Sequence, residues 1–195
     1  MANSLNVGGA AVNNPIVADF EGLPANLLGL TTIVPPPTPY KELNYKNVIV
    51  AKNTPVRLIT LFTTQGTQFA ATNPGQIPVI TTQDSGSNVI SFDLLRLFTG
   101  CYLNTANGDV LPPVDCTILF TGAKAGGLTV TQNFTFVTGA STGIAASPKS
   151  IQKVEFGSNF ADLISLTIQP SVSTGTAVLA GLELDEVTYN VRRSK

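Results

Sequence analysis

The stretch TAVLAGLELDEVTYNV, residues 176–191, decides the fold class. Val178, Ala180, Leu182 and Leu184 fall on one parity, the period-two signature of a β-strand with one face turned to a core. Val187, Tyr189 and Val191 then continue on the opposite parity. A strand keeps one face only while its register is unbroken. The slip at Asp185–Glu186 therefore predicts a β-bulge or bend there.

The same period recurs on the N-terminal side. In LISLTIQ the apolar positions are Ile164, Leu166 and Ile168. In LTVTQNFTF, Leu128, Val130, Phe134 and Phe136 share a face, which turns Asn133 outward. KNVIVAKN and VRLITLFTT are apolar runs rich in β-branched residues. Gly, Pro, Asn and Ser punctuate the runs, and no amphipathic helix of useful length occurs; FADLISL holds at most one short turn. No internal repeat is evident, and PANLLGLTTIVPPPTPY reads as a proline-punctuated excursion rather than a linker. Many short strands in 195 residues predict one all-β domain, an antiparallel β-sandwich of jelly-roll topology. The expected boundaries are a loose tail over 1–14, the sandwich over 15–192 and a tail over 193–195.

CYLNTANGDVLPPVDC, residues 101–116, carries the two cysteines of the chain. Both flanks read as strands, and the loop between them has turn chemistry in NGD and LPP. A Cys101–Cys116 disulfide would close a long hairpin-like connection and add about 3 kcal/mol through loop-closure entropy. The alternative is two free thiols; the disulfide is preferred. The Thr- and Ser-rich, Lys- and Glu-poor composition and the glycosylation sequon Asn133-Phe134-Thr135 favour an extracellular setting. Two cysteines without histidine cannot make a structural zinc site.

Only 12% of residues are charged and the net charge is -1. No broad field exists to attract nucleic acid or an acidic membrane. The basic end, Arg192, Arg193 and Lys195, reads as a solvated tail. No apolar run reaches the length of a membrane helix. MANSLNVGGAAVNNP lacks a charged n-region and an apolar h-region, so it is not read as a signal peptide; a secreted protein would have had its signal removed.

The absence of histidine removes Ser-His-Asp and Cys-His catalysis and histidine-ligated metals. FVTGASTGIAAS, residues 137–148, looks like the glycine-rich turn of short-chain dehydrogenases at Thr138, Gly139 and Gly143. It comes late in the chain, has Ala145 in place of the last glycine, and no Tyr-x-x-x-Lys accompanies it. It is read as a loop between strands. A glycosidase needs only two carboxylates, but none of the twelve acids sits in a recognisable catalytic motif.

Three segments together resemble a group of small secreted fungal proteins. They are FDLLRLFTGCYLNTANGDVLPPVDCTILFTGAKAGGLTVTQNFTF, VEFGSNFADLISLTI and AVLAGLELDEVTYNV. PTPYKELNYKNVIV resembles the segment that opens the same kind of domain, so the likeness spans roughly 17–191. That group resembles the galactose-binding-like jelly rolls, a fold used by many carbohydrate-binding modules. The resemblance implies a structural Ca2+ where the first strand meets the last. Its ligands would come from Asp19 and Glu21 in ADFEGLP and from Asp185 and Glu186 in ELDEV, with Asp185 and then Glu21 the best placed. Such hard-cation sites need six to eight oxygens; the plain alternative is that these acids cap turns or sit in water.

Sugar sites commonly stack pyranose rings on Trp or Tyr, and this chain has no Trp and four Tyr. Tyr189 alternates with Val187 and Val191 and belongs to the core. The candidates for ligand contact lie in loops at one end of the sandwich: Tyr102, Asn104, Asn107 and Asp109 in one, Gln83 and Asp84 in another. The leading reading is a non-catalytic, secreted, lectin-like module for cell-wall or host polysaccharide. The alternatives are a structural or interaction protein of the fungal surface, including an effector that meets a host protein, and then a carbohydrate-active enzyme. No nucleic acid or membrane partner is expected.

Overall fold

A computed structural model describes residues 14–27, 34–52, 61–64, 66–72, 75–84, 86–103, 113–138, 149–172 and 180–194. The chain is all-β, an antiparallel β-sandwich. In chain order its strands are β1 (Ile16–Ala18), β2 (Asn26–Leu27), β3 (Asn44–Lys46), β4 (Ile49–Lys52), β5 (Leu61–Phe62), β6 (Gln68–Ala71) and β7 (Val79–Thr81). There follow β8 (Val89–Leu103), β9 (Cys116–Lys124), β10 (Thr129–Phe136), β11 (Lys149–Ser150), β12 (Gln152–Glu155), β13 (Leu163–Val172) and β14 (Ala180–Arg193). A 3-10 turn, Ser158–Phe160, precedes β13.

One layer is built on β8 and β14, with β12 beside β8, and β6, β4 and β2 continuing beyond β14. The other runs β10-β9-β13-β7-β3. The two join at a corner where Leu163 pairs with Phe92. Two short pairings, β2 with β4 and β11 with β5, are parallel. Among the described residues no helix is long and apolar enough to cross a membrane.

The core follows from the alternation. Leu182, Leu184, Val187, Tyr189 and Val191 of β14 are buried, as are Ile118 and Phe120 of β9 and Leu166 and Ile168 of β13. Burying such side chains is the main favourable term in folding, at about 1.5–3 kcal/mol each. The aromatic residues tie the layers together. Tyr45 on β3 donates to the Tyr189 hydroxyl on β14 at 3.4 Å, and Tyr189 donates to the Lys41 carbonyl at 2.6 Å. Phe20, Tyr40 and Tyr45 form a further ring cluster.

The parity slip in β14 is a bulge. Asp185 pairs with Phe98, but Thr188 pairs with Arg96, so β14 spends one residue more than β8 over this span. Glu186 adopts a left-handed φ of 45°. Before the bulge β14 borders β6, at Glu183 and Leu184; beyond it β14 borders β1, from Val187 to Tyr189. The change of neighbour opens a gap on the sheet at the bulge.

Four expectations need correction. A second irregularity between Leu163 and Ser165 buries Leu163 and leaves Ile164 only half-buried. Leu128 is 69% exposed, because it belongs to the tight turn before β10 and not to its inward face. β14 runs through Arg193, so no tail begins there: Arg192 pairs with Asp93 and Asp162, and Arg193 with both oxygens of Glu42. Finally, the cysteine loop is not a hairpin connection. Cys101 lies near the end of β8 in one layer and Cys116 opens β9 in the other, and the disulfide bolts the two layers together. Residues 1–13, most of the expected N-terminal tail, lie outside the described residues.

Candidate functional site

The gap beside the bulge is a cavity of about 480 Å3 lined by Val17, Asp19, Glu21, Gly66, Arg96, Asp185 and Glu186. All four acids singled out in the sequence therefore line one place. A second hollow of about 430 Å3 adjoins it, lined by Pro15, Leu95, Glu155, Phe156 and Thr188, and shares Val17 and Arg96 with the first. The two form a groove with Arg96 at its waist.

Each acid is held by its own stretch of chain. Asp185 is buried; its Oδ2 accepts from the Thr64 amide at 3.2 Å and the Thr64 hydroxyl at 2.7 Å, and its Oδ1 accepts from the Glu186 amide at 2.8 Å. Glu21 Oε1 accepts from the amides of Thr67 and Gln68, both at 2.7 Å. Asp19 Oδ1 accepts from the Tyr40 hydroxyl at 3.1 Å, and Tyr40 in turn accepts from the Phe20 amide. Thr64 is thus held by Asp185, and Thr67 and Gln68 by Glu21. Gly66 must be glycine here: its φ is +66°, and a Cβ would lie 2.1 Å from Glu21 Oε1.

Burial raises the Asp185 carboxyl to about 6, although the Thr64 and Glu186 donors pull the other way. Two residues earlier Glu183 is wholly buried, and its carboxyl oxygens have no hydrogen-bond partner among the described residues. Desolvation first, and the Asp185 charge second, push Glu183 well above the ordinary carboxylate range. At the other end of the groove Glu155 is held below its usual range, first by Lys153 and in small part by Arg96. Arg96 itself makes only a long contact to the Thr188 hydroxyl, 3.4 Å, and no salt bridge among the described residues.

Among the described residues no three acidic side chains converge as a metal-ligand group. The carboxylates line the cavity wall, and their hydrogen bonds go to Thr64, Thr67, Gln68 and Tyr40. The arrangement offers hydrogen-bond acceptors from the acids and donors from Arg96.

The expected ligand loops fare differently. Tyr102 is not exposed: it is buried, lies over Gly181 on the neighbouring strand and donates its hydroxyl to the Thr72 carbonyl. It is therefore a core residue that cannot stack on a sugar. Asn104, Asn107 and Asp109 lie outside the described residues. Gln83 and Asp84 are exposed after β7, where Asp84 pairs with Lys46 at 2.9 Å, and neither lines the groove. The other three tyrosines are buried, so Phe156 is the ring that reaches the groove. Asn133 is exposed on β10, as its parity requires. Sequence reasoning missed Thr64 and Arg96, whose roles depend on strands distant in sequence.

A modest test of this hold is Thr64→Val, which keeps the shape and removes one donor to Asp185. It is expected to cost about 1 kcal/mol. It should also move the Asp185 titration above its present value near 6, read from its carboxyl carbon by NMR. An unchanged titration would mean that the hydroxyl does not support the carboxylate.

No protein-family model matches the chain, and no curated protein matches it. Among solved structures it is similar to a DUF4465 family protein from Bacteroides caccae. The likeness covers 90% of this chain and 98% of that one, at a TM-score of 0.54 and 10% sequence identity. At that identity the likeness is one of fold.

Proposed function

We propose that this chain is a non-catalytic, secreted module that binds a polysaccharide in the groove centred on Arg96. The observation that carries the reading is the groove itself: two adjoining hollows that share Arg96, an arginine without a salt bridge among the described residues, with carboxylates lining both and Phe156 lining the second. Such groups hydrogen-bond sugar hydroxyls in both directions. With one half-buried ring and no open aromatic platform among the described residues, affinity would come from hydrogen bonds and would be modest. The disulfide between buried cysteines supports an oxidising compartment.

The other readings gain less. Asp185 has the raised carboxyl expected of a general acid. Yet both its oxygens are engaged by the chain itself, which suits a structural role better than proton delivery. A protein-docking surface would show a contiguous apolar patch. Among the described residues only Ile77, Leu128 and Val137 are large, apolar and exposed, and the last two flank opposite ends of β10.

The test is a binding screen against fungal and plant cell-wall polysaccharides, in calcium and again in EDTA. Binding is expected, and Arg96→Ala should weaken it by about tenfold. Loss in EDTA would bring Ca2+ and the acids around Asp185 into the mechanism; retention in EDTA would leave it to the groove alone. No binding by folded, oxidised protein would sink the proposal.

A further inference from the structure

Among the described residues β10 is the edge of its layer, paired on one side to β9 in an unbroken register from Thr129 to Phe136. Exposed edges are templates for another strand, and proteins blunt them with charge, proline, bulges or shortness. Other borders here follow that rule: β12 has four residues and carries Lys153 and Glu155, and β3 has three and carries Lys46. β10 has eight residues, TVTQNFTF, with no charge, proline or bulge.

Its free side can be worked out. The Lys124 amide donates to the Leu128 carbonyl at 2.8 Å, so that facing pair is hydrogen-bonded. Hydrogen-bonded and open pairs alternate along an antiparallel ladder. The even-numbered residues therefore bond β9. Thr129, Thr131, Asn133 and Thr135 point their amides and carbonyls to the free side. Val130 and Phe134 are only partly covered at this edge, and Leu128 and Val137, exposed by 69% and 50%, stand at the strand's two ends.

We propose that the free edge of β10 pairs with the same edge of a second copy of this chain, antiparallel about a two-fold axis at Gln132. The strand is self-complementary in that register. Thr129 meets Thr135 and Thr131 meets Asn133, using all four outward-pointing residues. Val130 then lies opposite Phe134, so the partly covered apolar side chains cover each other. No charge on either strand opposes the pairing. The interface is isologous and closed, as two-fold dimers require. The partner is a second copy and not a foreign peptide because the pattern matches its own reverse.

The experiment uses the full chain, oxidised and produced without N-glycosylation, since a glycan on Asn133 would stand at the paired edge. Sedimentation velocity over rising concentration should show the mass double. Thr131→Lys with Asn133→Lys places lysine opposite lysine twice and should weaken association by about tenfold or more. Thr131→Lys with Asn133→Asp places opposite charges at the same two pairs and should restore it. Thr117→Lys, exposed on β9 one strand in from the edge, should leave it unchanged. A wild-type chain that stays monomeric overturns the proposal, whatever the variants do. So does an association that survives the double lysine change or is lost equally in Thr117→Lys.

Discussion

Replacing Cys101 and Cys116 together by alanine is expected to destabilise the fold by about 3 kcal/mol, a fall in melting temperature of roughly 6–12 °C. The disulfide spans a sequence separation of 15 and both cysteines are buried. Its closure limits the unfolded chain, and its position joins strands that share no ladder. Among the described residues, the Tyr102–Pro113 bridge and the bond from the Val114 amide to the Cys101 carbonyl also lie at that connection. Thermal melts of the oxidised wild type and the double variant decide the matter. A melting temperature within about 2 °C of wild type would mean that the layers are held together without the bolt.

Glu183→Leu should act in the opposite direction and raise stability at neutral pH. The wild-type carboxyl is fully buried between Gly100 and Ala71 on the flanking strands, with neither oxygen hydrogen-bonded among the described residues. A buried acid without a partner costs free energy, and a hydrophobic residue of similar volume removes that cost. The gain is expected to be about 2 kcal/mol near pH 8, or roughly 4–8 °C. Its sign with pH follows from the raised proton affinity. Below the ordinary glutamate value of 4.5 the acid is protonated in both states. As pH rises the unfolded chain gives up its proton first, so the wild type loses stability. Asp185, raised to about 6, adds a loss of the same sign between about pH 4 and 6 that the variant retains. The advantage of Glu183→Leu should therefore grow from acid to neutral pH. An advantage that is flat with pH would show that Glu183 keeps its ordinary affinity, and a lower melting temperature throughout would show that the acid is needed.

Much of the fold was legible locally. The parity change between Leu184 and Val187 located the bulge, because a strand buried on one side must reverse its faces if its register slips. The cysteine spacing and the turn residues between them anticipated the disulfide. Asp19, Glu21, Asp185 and Glu186 line one cavity, a juxtaposition that no local pattern along the chain shows. Where local reading failed, a distant partner had overruled it. Tyr102 sits in polar sequence but is buried, because Gly181 leaves its ring a slot and the Thr72 carbonyl accepts a hydrogen bond from its hydroxyl. Arg192 and Arg193 end the chain in basic sequence, yet Asp93, Asp162 and Glu42 hold them on the sheet.

The sequence by itself pointed to an all-β protein, to a strand that breaks register at Asp185–Glu186, and to a disulfide as the preferred state of its two cysteines. These are properties of alternation and chain distance, which are written along the chain. Only the tertiary structure decided that the disulfide crosses between layers, that Arg96 and Thr64 join the acids, and that β10 is left with an open edge. Those depend on which strands become neighbours, and strand order is set by how the layers cover one another.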